Sequence, residues 1–273
     1  MKQNKIQYMN RAAFSAGQLI RKAFGDSFQI DEKEKKENVS DFVTTIDNAA
    51  DAEIIKTLRN ACPDIPVVTE ESGGQQSEKY FLVDPLDGTT NFIAGIDYVA
   101  VSIAYVENNI VKAGCVYDPL RDNMFSAERG MGAFLNTKPL KVSDTSLNRS
   151  VLIQEENFGG SHQKKILERT ALLTPGIAGL RKTGSTALDL AYLAAGKPWI
   201  VLATSLKSWD VAGGSIIASE AGAKLTTLSG KEFSLNSETI LAASPHLHQT
   251  ILDRLQSQSK LQIDALSIKN ERQ

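Results

Sequence analysis

Ile6, Met9, Ala13, Ala16, Leu19, Ile20 and Ala23 recur at helical spacing, so residues 4–24 predict an amphipathic helix closed by Gly25. The stretch Asp31 to Asn38 mixes Asp, Glu and Lys without an apolar period and reads as a solvated loop. A second helix carries Ala50, Ile54 and Leu58, capped by Thr45 or Asp47 and stopped before Pro63. Short strands are expected at 66–69 and 80–83. From Tyr98 the pattern becomes β-rich: 99–106 and 110–117 pair through Glu107-Asn108-Asn109, and 124–128 and 133–135 pair through Arg129-Gly130-Met131-Gly132, with Pro139 closing the meander. The second half alternates. It gives a strand at 150–154, a helix at 163–173, a Gly184-led helix to Ala195, a strand at 199–203 and a helix at 211–220. Strands near 223–228 and 239–243 and a helix from His246 to about Gln258 complete it. An α+β first half followed by an alternating second half predicts a mixed α/β protein, divided at the turn-prone stretch Val142 to Asn148 into segments 1–145 and 146–273.

A chain of 273 residues has room for a substantial core and about two domains. Hydrophobic residues at 42% and charged residues at 23% match ordinary globular usage. Thirty Lys and Arg against 32 Asp and Glu give a net charge of -2, so no basic field gathers nucleic acid or an anionic membrane. No apolar run reaches the ~18 residues that span a bilayer, and Met1 to Asn10 is too polar for a signal peptide core. These features predict a cytoplasmic protein with neither membrane nor direct nucleic-acid contact. Cys62 and Cys115 have no second Cys or His at metal-ligand spacing, which rules out a zinc thiolate site. His162, His246 and His248 lie apart from the acidic motifs, which argues against Ser-His-Asp chemistry.

The most informative stretch is Val83-Asp84-Pro85-Leu86-Asp87-Gly88-Thr89-Thr90-Asn91-Phe92, with two carboxylates where an apolar strand ends and Gly-Thr-Thr amides immediately after. Asp-Pro and Asp-Gly alone would make a turn. Carboxylates beside bare amides suggest a hard cation together with phosphate, because oxygen-only ligands select Mg²⁺ and Mg²⁺ is shared with phosphate oxygens. Three further acidic pieces can reach the same region: Thr69-Glu70-Glu71-Ser72-Gly73-Gly74, Asp41-Phe42-Val43-Thr44-Thr45-Ile46-Asp47 and Ser208-Trp209-Asp210-Val211-Ala212-Gly213-Gly214. Each alone is a surface loop or a helix cap. Gly184-Ser185-Thr186 opens a helix whose N-terminus could receive polar substrate groups.

Together, in this order and spacing, these four motifs resemble the signatures of the inositol monophosphatase family, with Gly184-Ser185 fitting a further family position. The resemblance spans nearly the whole chain. It implies a layered α-β-α-β-α sandwich of the sugar-phosphatase type, a homodimer, and a lithium-sensitive phosphomonoesterase using two or three Mg²⁺ ions. The family pattern places the metals on Glu70, Asp84, the Leu86 carbonyl, Asp87 and Asp210, with Asp84 bridging. It assigns catalysis to Thr89, Asp47 and Glu70, the first two orienting and activating the attacking water. The phosphate is placed near Asp87, Gly88 and Thr89, and the substrate's alcohol near Gly184, Ser185 and Thr186. Seven residues before Asp210, inositol-hydrolysing members carry a Glu that contacts substrate hydroxyls, whereas this sequence has Ala203. Thr204, Ser205 and Lys207 are nearby candidates for contacting the substrate, and Lys36 is a weaker one. The expected substrates are inositol monophosphates or related polyol and sugar phosphates. The alternatives are fructose 1,6-bisphosphate, 3′-phosphoadenosine phosphates, or a non-catalytic partner role in transcription.

Overall fold

The computed structural model describes residues 5–25, 30–36, 39–156 and 163–270, with side chains for 5–25, 44–156 and 163–257. Helix α1 (Lys5–Ala23) buries Met9, Ala12, Ala13, Ala16 and Ile20, the stripe expected from its period. Strands β1 (Ile30–Lys36) and β2 (Val39–Thr44) form an antiparallel pair where a loop is expected from 31 onward; Glu37 and Asn38 lie outside the described residues. Main-chain pairing needs no apolar period, so a charged ribbon can pair while its sequence reads as loop. Helix α2 (Thr45–Ala61) is capped by Thr44 rather than Thr45 or Asp47. The Thr44 hydroxyl accepts from the Ile46 and Asp47 amides, and Asp47 reaches back to the Thr44 amide, a reciprocal capping box.

A seven-stranded sheet follows in the order β3-β4-β5-β6-β7-β8-β9, with β3 (Val67–Thr69), β4 (Lys79–Asp87), β5 (Ala100–Glu107), β6 (Ile110–Asp118), β7 (Asn123–Glu128), β8 (Ala133–Leu135) and β9 (Lys138–Pro139). It is antiparallel except for β3 beside β4. The short helix α3 (Thr89–Ile93) follows β4 directly. A second, five-stranded sheet runs β11-β10-β12-β14-β13, built from β10 (Val151–Glu155), β11 (Gly179–Arg181), β12 (Trp199–Thr204), β13 (Lys224–Thr226) and β14 (Thr239–Ala243). Its helices are α4 (Gln163–Leu173), α5 (Thr186–Ala194), α6 (Ser208–Glu220) and α7 (Pro245–Asn270).

The cores show how these elements stack. Ile54 and Leu58 of α2 and Met9 of α1 pack with Phe81, Val83 and Ile103 on one face of the first sheet. Its other face, with Leu82, Ala104 and Val116, packs against Ala187 and Ala191 of α5 and Ala212 and Ile216 of α6. The opposite side of α5 and α6, with Leu190 and Val211, meets Ile153, Val201 and Ala203 of the second sheet. Leu247 and Ile251 of α7 and Leu173 of α4 cover that sheet's far face. The result is the expected α-β-α-β-α sandwich, in which α5 and α6 are apolar on both sides because each side faces a sheet. Among the described residues no helix is long and apolar enough to cross a membrane.

Candidate active site

Strand β4 does not end at Val83 but runs on to Asp87 through an irregularity. Asp84 pairs with Ser102 and Asp87 with Ala100, so three steps on β4 match two on β5. Pro85 has no N–H for the ladder, and a one-residue bulge accommodates it. The bulge resets the alternation: Leu82 faces α5 and α6, while Val83 and Leu86 both face α1 and α2. Asp84, two residues past Leu82, therefore shares the face toward α6, where Asp210 begins.

The side chains of Asp84, Asp87 and Asp210 are each oriented by a donor of the protein. Asp84 Oδ1 accepts from the Leu86 amide at 3.1 Å. Asp87 Oδ2 accepts from the Ser185 hydroxyl at 2.6 Å and the Ala187 amide at 2.8 Å. Asp210 Oδ2 accepts from the Lys207 amide at 3.0 Å, so α6 starts at Ser208 and Asp210 sits in its first turn instead of capping a helix from Val211. Lys207 contributes its main chain to this site, and its side chain is exposed. Glu70 follows β3, and its amide donates to the Val83 carbonyl at 3.1 Å, which holds it alongside Asp84.

The charges of the other three carboxylates are felt at Asp84. Asp84 is held well above the ordinary carboxylate range by burial first, then by the charges of Glu70, Asp87 and Asp210. Asp87 is pushed up to about 8 by burial, with Asp210 adding to the shift and the Ser185 hydrogen bond opposing it. Among the described residues no three acidic, His or Cys side chains stand close enough to form a ready-made metal cage. Four like charges without a counterion would repel one another. Oxygen donors from carboxylates and the Leu86 carbonyl suit a hard divalent cation, which would remove that repulsion.

Asp47 and Thr89 meet from different elements: Thr89 Oγ1 lies 3.0 Å from Asp47 Oδ1 and 3.1 Å from the Leu86 carbonyl, to either of which it can donate. The other Asp47 oxygen accepts from the Thr44 amide at 2.8 Å and from the Thr44 hydroxyl. Burial raises Asp47 despite these bonds. Gly88 adopts φ +94°, and a Cβ there would come within 3.0 Å of the Tyr98 carbonyl and 3.4 Å of the Gly184 carbonyl. Only glycine fits that turn without strain.

Around Gly184 the structure adds residues that sequence reasoning missed. Asn91 Nδ2 donates to the carbonyls of Tyr98 and Thr183 at 2.8 Å, tying the loop after α3 to the turn before α5. Glu155, at the end of β10, accepts at Oε1 from the Thr183 amide, the Thr183 hydroxyl and the Gly184 amide, at 2.5, 2.9 and 3.0 Å. Thr183 Oγ1 also lies 2.7 Å from Oδ1 of the fully buried Asp189, which accepts from the Tyr98 hydroxyl at 3.0 Å. Asp189 is raised well above the ordinary carboxylate range by burial first and the Glu155 charge second. The sequence signal was available: Gln154-Glu155-Glu156 ends an apolar strand as Thr69-Glu70-Glu71 does. The donors at the start of α5 are largely used within the protein, since Leu188 N donates to the Ser185 cap at 3.4 Å and Ala187 N to Asp87. A cavity of about 360 Å³ between α1 and α2, lined by Tyr8, Arg11, Glu53 and Lys56 among others, shares no residue with this site.

A model described as the inositol monophosphatase family matches residues 2–260. Nus factor SuhB of Vibrio cholerae serotype O1 is 37% identical over 250 residues, covering 90% of this chain and 93% of the relative. The crystal structure of extragenic suppressor protein suhB from Bartonella henselae superposes with a TM-score of 0.86 at 32% identity, over 92% of this chain and 98% of its own. The Thermotoga maritima IMPase gives a TM-score of 0.82 at 28% identity, over 93% of this chain and 97% of its own. A family match across the four acidic motifs and the five-layer architecture leads to one assignment: the chain belongs to the inositol monophosphatase family.

Proposed function

We propose that the chain is a Mg²⁺-dependent phosphomonoesterase acting on inositol monophosphates or related polyol phosphates, as a homodimer. The observation that carries this reading is the Thr89–Asp47 hydrogen bond of 3.0 Å standing beside carboxylates drawn from both halves of the sandwich. Glu70, Asp84, the Leu86 carbonyl, Asp87 and Asp210 would hold two or three Mg²⁺ ions. When bound, Mg²⁺ supplies a water of lowered pKa and neutralises charge on the phosphoryl oxygens and the leaving alkoxide. The chain supplies orientation. Thr44 fixes Asp47, Asp47 accepts from Thr89 Oγ1, and Thr89 can then accept a proton-bearing water on its own lone pair and aim it. The amides of Gly88 and Thr89, exposed by the positive φ of Gly88, face the phosphate oxygens in this reading. Ser185 holds Asp87 in place for its metal role.

The test is phosphate release with Mg²⁺ from inositol 1-phosphate, fructose 1,6-bisphosphate, 3′-phosphoadenosine 5′-phosphate and glycerol 2-phosphate, with Asp87→Asn beside the wild type. Wild-type turnover of inositol 1-phosphate above the others, lost at least a thousandfold in the variant, is the expected result. Turnover retained by Asp87→Asn would sink the metal assignment.

The name of the Vibrio cholerae relative, Nus factor SuhB, supports a second reading in which the chain also works through a transcription partner. Asp87→Asn separates the two: hydrolysis lost with the partner interaction intact would place the physiological role in the interaction.

A further inference from the structure

Strand β10 ends at the mouth of the site, and its last residue is a carboxylate with one oxygen in use. Oε1 of Glu155 accepts from Thr183 and Gly184, while Oε2 has no hydrogen bond among the described residues, and the residue is partly exposed. Its place is fixed on three sides. The parallel register sets Glu155 beside Ala203 of β12, whose methyl is fully buried and offers no competing polar group. Thr183 Oγ1 ties the same oxygen toward Asp189. The Gly184 carbonyl would stand 3.4 Å from a Cβ on Gly88, so the turn that Glu155 grips lies directly against the phosphate-side loop.

This arrangement changes what the start of α5 can do. The Gly184 amide, a donor that could have met a substrate oxygen, is taken by Oε1. What Glu155 itself can present toward the site is an acceptor. Its negative charge bears on both Asp87 and Asp189, so the neighbourhood favours a hydroxyl that donates over a second phosphate group. A hydroxyl donating to a fixed carboxylate is a selective contact, because an analogue without it leaves the acceptor unpaired.

We propose that Glu155 is a specificity-determining residue whose Oε2 accepts a hydrogen bond from a hydroxyl of the substrate's alcohol, selecting polyol monophosphates. The inference rests on the phosphatase reading above and deepens it. Glu155→Gln is the discriminating variant: its amide oxygen can still accept from Thr183 and Gly184, while the second position becomes an NH₂ that cannot accept.

The experiment compares kcat/KM for inositol 1-phosphate with kcat/KM for p-nitrophenyl phosphate, whose leaving group has no spare hydroxyl, in wild type and Glu155→Gln. The expected result is a fall of about tenfold in that ratio, carried by KM for inositol 1-phosphate. A ratio unchanged while both rates fall together would show that Glu155 only pins the turn, and would overturn the proposal. Calorimetric titration of inositol 1-phosphate in Mg²⁺ into both proteins, matched by melting temperature, gives a second readout independent of turnover. A wild-type protein that releases no phosphate from any substrate refutes the phosphatase reading. In that case a tenfold weaker affinity in Glu155→Gln still supports the contact, and equal or absent binding overturns it.

Discussion

Asp47 and Asp210 occupy the same position in two different helices. Each sits in the first turn and turns one oxygen back to the amide three residues earlier, to Thr44 in α2 and to Lys207 in α6. A residue type that reads in sequence as a simple cap is thus held rigid by the helix it begins, with the other oxygen of Asp47 given to Thr89. Thr44→Ala removes both the cap and a hydroxyl donor to Asp47. It should cost ~1 kcal/mol of stability, measured by denaturant unfolding, and lower phosphate release as well. A loss of stability with unchanged activity would separate Thr44 from the chemistry. Gly88→Ala forces an alanine into φ +94° with its Cβ 3.0 Å from the Tyr98 carbonyl. The expected cost is ~1–2 kcal/mol with at least a tenfold loss of kcat; full activity would mean that the loop tolerates the shift. At this scale the motif residues were legible because acidic side chains beside Gly and Pro are conspicuous. Glu155 was passed over although Gln154-Glu155-Glu156 ends an apolar strand, and the roles of Thr44 and Asn91 inside their motifs were not legible because a single Thr or Asn gains meaning only from its partners.

Elements were legible wherever burial imposed a period. The stripe of α1 and the meander from Ala100 follow the sequence closely, and β10, β12 and β14 stand where apolar runs predict them. The paired strands β1 and β2 escaped because Ile-Asp-Glu-Lys-Glu-Lys-Lys carries no apolar alternation. The bulge in β4 escaped because Asp-Pro reads as a turn, whereas the ladder to β5 resumes beyond it. Helix α5 carries a titration that can be measured. Asp189 lies buried in it, and a carboxyl raised in the folded chain gives stability that is present below its ordinary value near 3.8 and lost as pH climbs through the raised value. Asp189→Asn keeps an acceptor for Tyr98 and removes the ionisation. Between pH 5 and pH 9 the wild type should therefore lose more stability than the variant. Identical pH dependence in the two would show that Asp189 does not titrate across that range.

For the whole molecule, the acidic site links the first sheet to the helix layer between the sheets, since Asp84 and Asp87 come from β4 and Asp210 from the start of α6. Neutralising those carboxylates should stabilise the fold as a unit. Millimolar Mg²⁺ is expected to raise the melting temperature by several degrees, since a ligand at a hundred times its Kd adds ~2.7 kcal/mol. A melt indifferent to Mg²⁺ and to chelator would count against the site. The layered architecture was legible only in outline: alternation announces a sheet with helices, but periodicity does not say that one helix layer serves two sheets.

That shared layer bears on how the chain can be taken apart. A Cβ on Gly213 would come 2.7 Å from Ser102 Oγ and 3.0 Å from the Cys115 carbonyl of the first sheet, and one on Gly214 would come 2.8 Å from Leu190 Cβ. Helix α6 lies so close that its backbone serves as the lining of the first sheet, although it belongs by sequence to the second half. Cutting the chain between Val142 and Asn148 would not yield two independent folding pieces. The fragment ending there would expose a bare apolar sheet face, and its complement would carry two helices with nothing on their outer side.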